Sequence, residues 1–177
     1  MKLNIGLLLF IGWVSVAEAQ TKSSLIIKDY GIINDLENVR KPRADQKIKI
    51  VIDLKTAADD PSKLNRGLDN VARLLNLHAA GGISPENLSV AVAVHGGATP
   101  IILDDKGYGN KYGVANPNAE LIKQLDKAGV ELFVCAQSMI ARKYDMDQVD
   151  PEVEIALSML TIVTEKMNEG YHLMVFQ

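Results

Sequence analysis

The feature that most constrains this chain is the alternation of short β-branched runs with segments of helical period. "KIKIVIDL" (residues 47 to 54) alternates at first and then turns continuously apolar, as a strand entering a covered sheet does. "NLSVAVAVHGG" (87 to 97) reads as a second strand that stops at a histidine and two glycines, and "VELFV" (130 to 134) as a third. "VEIA" (153 to 156) and "YHLMVF" (171 to 176) complete the set. Between the first two, Asp60-Pro61 has the form of an N-cap and first helical position. Leu64, Leu68, Val71, Leu75 and His78 then share one helical face, and Gly81-Gly82 ends the helix. Asn116-Pro117 caps a second helix running to about Ala128, a third runs from about Ala136 to Lys143, and "LSMLTIVTEKMNEG" is a fourth. Strands and helices joined by short links predict right-handed parallel βαβ units. The expected fold is α/β, a three-layer sandwich with a mostly parallel five-stranded sheet. An apolar content of 47% with only 5% aromatic residues suits an aliphatic interior of that kind.

The chain ahead of the first strand divides in two. Lys2, the apolar run "IGLLLFIGWVSVA" and Ala17-Glu18-Ala19 have the three parts of a secretory signal, so cleavage is expected after Ala19 and the product is expected in the periplasm or secreted. The run is shorter than the roughly 20 residues that span a bilayer, so no membrane association is expected after cleavage. Residues 20 to 46 are polar, lack a period and concentrate charge in "VRKPRADQK", which predicts an exposed lead-in to a single domain at 47–177. A formal net charge of −3 offers no electrostatic footprint for nucleic acid.

The candidate chemistry lies where the strands end, because open parallel sheets bind ligands beyond their carboxyl edges. Cys135, the sole cysteine, follows the third strand and opens a helix, where unsatisfied amides and the dipole favour thiolate. That position predicts a reactive, partly exposed thiol; the competing reading is a small buried hydrophobe. His95 at the end of the second strand is a candidate for orienting something bound near the thiol, or for bonding a neighbouring loop. Gln137 and Ser138, in the first turn after Cys135, are candidates for anion binding or for capping alone. "GYGNKYG" (107 to 113) lacks dinucleotide spacing and is expected to form a mobile loop, with Tyr108 and Tyr112 as lid or packing residues. His78 and His172 read as structural. Asp145, Asp147 and Asp150 lack the glycine and terminal glutamate of a calcium loop and are expected to be solvated. No metal site and no cofactor is expected.

Three pieces in order, "VAVHGGATPIIL", "YGVANPNAELIKQLDKAGVELFVCAQS" and "VEIALSML" followed by "NEGYHLMVF", make the chain from Lys47 to Gln177 resemble the DsrE/DsrF-like family of sulfur-relay and intracellular sulfur-oxidation proteins. The resemblance implies a flavodoxin-like α/β fold and a homo-oligomer, trimer or hexamer. It also implies a sulfur carrier or sulfurtransferase that holds sulfur as a persulfide on the cysteine matched by Cys135. Similar sequences often read C-G-Q where this chain has Cys135-Ala136-Gln137. The sulfur donor and acceptor are not named by the sequence. Two other readings stand beside this one: a non-catalytic homo-oligomeric module that binds a small ligand while Cys135 only packs, and a thiol-dependent redox enzyme that lacks its own resolving cysteine.

Overall fold

The structure is a computed structural model that describes residues 25–34 and 36–176. The expected signal segment and its cleavage site lie outside the described residues. Five strands form one sheet: β1 (Ile48–Leu54), β2 (Leu88–Val94), β3 (Glu131–Cys135), β4 (Glu154–Ala156) and β5 (His172–Phe176). Their order is β4-β3-β2-β1-β5, and every pairing is parallel. The helices are α1 (Arg66–Ala80), α2 (Asp105–Tyr112), α3 (Ala119–Lys127), α4 (Ala136–Arg142) and α5 (Met159–Asn168), so the α/β sandwich expected from the sequence is present.

Strand periodicity sorts the core into two layers. Ile50, Ile52, Leu54, Val90, Val92, Val94, Leu132 and Val134 point to one face, where they meet Leu68, Val71 and Leu75 of α1 and Leu121, Ile122 and Leu125 of α3. Val51, Ala91, Ala93, Phe133 and Ala156 point to the other, against Ile162 of α5 and Tyr171. Alanines at 91 and 93 keep that face shallow over β2, which lets a single helix lie close across β1, β2 and β3. At the strands' amino-terminal end, Lys166 of α5 closes this second layer. Its side chain, only 9% exposed, pairs with Glu131 at 2.7 Å and Glu169 at 3.2 Å.

Five expectations are corrected. The first helix starts at Arg66 rather than at Pro61, because the buried Asn65 side chain accepts from the Leu68 amide at 3.1 Å and donates to the Thr56 carbonyl at 2.9 Å. Asp60 instead closes a turn on the Ser62 amide. Similarly, Asn116 does not cap α3: it spends its amide on the carbonyls of Ile101 and Leu103, and α3 begins at Ala119 after Asn118. "GYGNKYG" is no loop but most of α2, since Asp104 caps it through the Gly107 amide, Gly113 stops it in the left-handed region (φ 73°), and Tyr108 stacks on Tyr112 one turn away.

The fourth correction concerns part of the lead-in: residues 36–46 are exposed, but Ile27 and Gly31 ahead of them are buried. Asn76 of α1, fully buried, accepts from the Ile27 amide and donates to the carbonyls of Ile27, Tyr30 and Gly31, while Asp69 accepts from the Gly31 amide at 2.7 Å. Gly31 has φ +58°, and a Cβ there would stand 2.1 Å from the Arg73 amide nitrogen, so only glycine fits so close to the helix backbone. The backbone polar groups of this segment are satisfied by α1, and that is what docks a stretch without secondary structure of its own.

Asp150 also departs from the solvated loop expected of it. It is 8% exposed, its amide donates to the Ile102 carbonyl, and it precedes β4. Burial, followed by the adjoining Glu152, pushes its carboxyl from 3.8 up to about 7, and the proton shared by the pair stays on Asp150. Between those values the folded protein holds a proton that the unfolded chain has lost, so stability falls as pH rises from 3.8 to about 7. Asp150→Asn keeps both hydrogen-bonding edges without the charge. Urea melts of the variant should lose this slope and show it more stable than wild type above neutral pH; parallel curves for the two proteins would contradict the assignment.

Candidate functional site

Cys135 is both the last residue of β3 and the N-cap of α4, so no loop separates the strand from the helix. Its final ladder pair, Cys135 with Ala156, places β4 alongside, and two residues beyond that pair Ser158 caps α5. Two helix starts therefore meet at one sulfur. The Sγ lies 3.9 Å from the Ser158 Oγ. Cys135 is 4% exposed, so the partly exposed thiol expected from the sequence is instead buried.

The ionisation of the thiol reflects a contest. Burial pushes it up, while hydrogen bonds from the Met159 amide, the Ser138 amide and hydroxyl, and the Ser158 hydroxyl act the other way and prevail, holding it below the ordinary value. Both serine hydroxyls are oriented for this. The Ser138 oxygen accepts from the Gly96 amide at 3.1 Å, and the Ser158 oxygen accepts from the Leu160 amide at 3.2 Å. With a lone pair of each oxygen occupied, each O–H proton is free to turn toward sulfur when the thiol ionises. The cradle consists of neutral donors only.

The Gly96 amide reaches Ser138 because Gly96 takes φ +55° and folds the chain back over the end of β1. The residue before it, His95, remains extended (φ −155°, ψ −173°) and follows the Val94–Val134 ladder pair, as Cys135 does on β3. His95 Nε2 lies 2.6 Å from the Asp53 Oδ1 of β1, with both side chains about one-fifth exposed. The strand ends thus gather Asp53, His95, Ser138, Cys135 and Ser158 along one rim.

Of the residues singled out in the sequence, Cys135 and Ser138 are joined directly and His95 adjoins them through Gly96. Gln137 is exposed. Tyr112 packs on Tyr108, ring centroids 4.7 Å apart, with the first core layer rather than at the sulfur. His78 bonds the Leu74 carbonyl within its own helix. Ser158, Met159 and Asp53 were not among the expected site residues. Asp53 had a readable signal, a carboxylate inside an otherwise apolar strand end; Ser158 had only the look of an N-cap, and its approach to Cys135 depends on sheet order. Among the described residues no group of three or more histidine, cysteine, aspartate or glutamate side chains is placed to hold a metal ion.

A sequence model of the DsrE/DsrF-like family matches residues 47–176. The chain belongs to the DsrE/DsrF-like family. This family is associated with sulfur relay. Two solved structures share the fold. MTH1491 from Methanobacterium thermoautotrophicum, described as a protein of unknown function, is 17% identical with a TM-score of 0.55, covering 73% of this chain and 99% of its own. The YchN protein from E. coli is 19% identical with a TM-score of 0.54 and the same coverages, 73% and 99%. A search of curated proteins found no match.

The donors around Cys135 make a direct prediction. Ser158→Ala and Ser138→Ala should each move the thiol's titration midpoint upward, read from thiolate ultraviolet absorbance against pH, and the double variant should move it further. Midpoints that stay at the wild-type value would mean that the two hydroxyls do not face the sulfur.

Proposed function

We propose that this DsrE/DsrF-like chain holds sulfane sulfur as a persulfide on Cys135 and relays it between partner molecules outside the cytoplasm. The observation that carries the reading is the meeting of two helix starts at one sulfur, where the Ser158 Oγ lies 3.9 Å from Sγ and the Met159 and Ser138 amides with the Ser138 and Ser158 hydroxyls lower the thiol's pKa. A thiolate or a persulfide anion gains from the same four donors, and a persulfide is the more acidic of the two. Family membership supports the same chemistry. The signal-like first 19 residues support the location.

A homo-oligomer belongs to this proposal. Parallel sheets are ordinarily covered on both faces, yet Leu173, Met174 and Val175 of the edge strand β5 are exposed, as are Leu157 and Leu160 beside α5's start. A second copy would cover such a surface. Light scattering should return a multiple of the chain mass, and N-terminal sequencing of the exported protein should begin at Gln20; a monomer at high concentration, or a retained Met1, would remove the respective element.

The burial of Cys135 favours one rival reading, a ligand-binding module in which the cysteine only packs. Polysulfide treatment separates the two. Reduced wild-type protein should gain the mass of added sulfur and lose it to a thiol reductant, while Cys135→Ser gains none and unfolds within about 1 kcal/mol of wild type, because the volumes are close. Wild-type protein that takes up no sulfur while folded would leave the packing role.

A further inference from the structure

Sulfur leaves a persulfide only when an acceptor thiolate attacks it, and most thiols are protonated near neutral pH. An acceptor therefore needs a base. Alternation along the strands identifies one. Ala91 and Ala93 of β2 and Phe133 of β3 face the α5 layer, so by the two-residue repeat His95 and Cys135 face it as well, one strand apart. Neighbouring strands are roughly 4.8 Å apart, and no direct hydrogen bond joins the imidazole to the thiol. A sulfur atom added to Sγ would therefore lie on the same face as the imidazole of the neighbouring strand. Asp53 lies on the same face, paired with Ala93 on the adjoining strand.

Resting on the persulfide reading, we propose that His95, its tautomer set by Asp53, is the general base that activates the acceptor thiol. The Asp53 carboxylate only accepts, so Nε2 carries the proton of their 2.6 Å hydrogen bond, and in the neutral ring the lone pair is on Nδ1. In the transfer step the acceptor's thiol proton passes to Nδ1 and the acceptor sulfur bonds to the sulfane sulfur. The bond from that sulfur to Sγ breaks, and its electron pair stays on Cys135 as thiolate. The acceptor leaves as a persulfide, the imidazolium returns its proton to solvent, and no oxidant or reductant is consumed. The new thiolate falls into the donors of Ser138, Ser158 and Met159. Asp53 is a positioning residue: it touches neither sulfur and acts through the ring it holds. The other charges on the elements around His95 are few, since Lys55 after β1 is exposed and the first turns of α4 and α5 carry no charged side chain.

The test loads wild type, His95→Gln and Asp53→Asn with polysulfide, then follows single-turnover transfer to two acceptors. 2-Mercaptoethanol is mostly protonated at neutral pH, whereas 5-thio-2-nitrobenzoate is already a thiolate and needs no base. His95→Gln should load normally, pass sulfur to mercaptoethanol on the order of a hundredfold more slowly, and pass it to thionitrobenzoate at close to the wild-type rate. Asp53→Asn should show the same selective loss to a smaller degree. Equal slowing toward both acceptors, or no slowing, overturns the proposal. Wild type alone supplies a check that needs no variant to fold: its rate toward mercaptoethanol should level off once a group on the protein has lost its proton. A rate that rises until the acceptor's own thiol ionises overturns the proposal too. Wild type that takes up no sulfur would instead refute the carrier reading itself.

Discussion

The ladder pair between Cys135 and Ala156 is the contact on which the rest of this site depends. β4 is only three residues long, and this pair is its last. Two residues later Ser158 caps α5, so the register of one short strand decides that a second helix starts against the sulfur. The same step sets the second face of the sheet. α5 leaves the thiol, crosses β3, β2 and β1 over Phe133, Ala93, Ala91 and Val51, and returns the chain to β5 beside β1. A slip of one residue in β4 would turn Ala156 out of the core and carry Ser158 away.

The two faces of the sheet are built to different ends. On the first, α1 and α3 bury long aliphatic side chains from three strands, and even the lead-in is secured from outside by Asn76. On the second, one helix covers small residues and is held at its far end by the nearly buried Lys166 between Glu131 and Glu169, above the rings of Phe133 and Tyr171. Those glutamates remain half exposed, so the pair fixes the position of α5 more than it adds to stability. The lysine thus anchors α5 where the strands start, and Ser158 anchors it where they end.

How much of this was legible in the sequence differs by level. Strands and amphipathic helices were legible because their periods are local: "KIKIVIDL" and the α1 face at Leu68, Val71 and Leu75 contain their own signal. Cys135 was legible because a strand end followed at once by a helix is also a local pattern. Helix starts were less so. Asp60-Pro61 and Asn116-Pro117 both look like caps, but the better-buried Asn65 and the side-chain bonds of Asn116 decide where α1 and α3 begin. The α2 glycines suggested a loop, and the cap at Asp104 with the stop at Gly113 outweighed them. Contacts among Asp53, His95, Ser138 and Ser158 were not legible, because each joins residues far apart in sequence and exists only once the strand order is known.

Burial of Cys135 bears on how such a thiol can work. Desolvation alone would keep it protonated and inert; cationic partners would favour the thiolate strongly, but a thiolate of very low basicity is a weaker nucleophile. Neutral donors take a middle course. Amides and hydroxyls lower the thiol's pKa against the pull of burial without placing a fixed positive charge beside it, so on the proposed reading a sulfur held there would stay exchangeable. The single cysteine adds a chemical limit. With no second thiol in the chain, a persulfide on Cys135 has no intramolecular disulfide to collapse into, and on the proposed reading its outer sulfur departs to a thiol on another molecule.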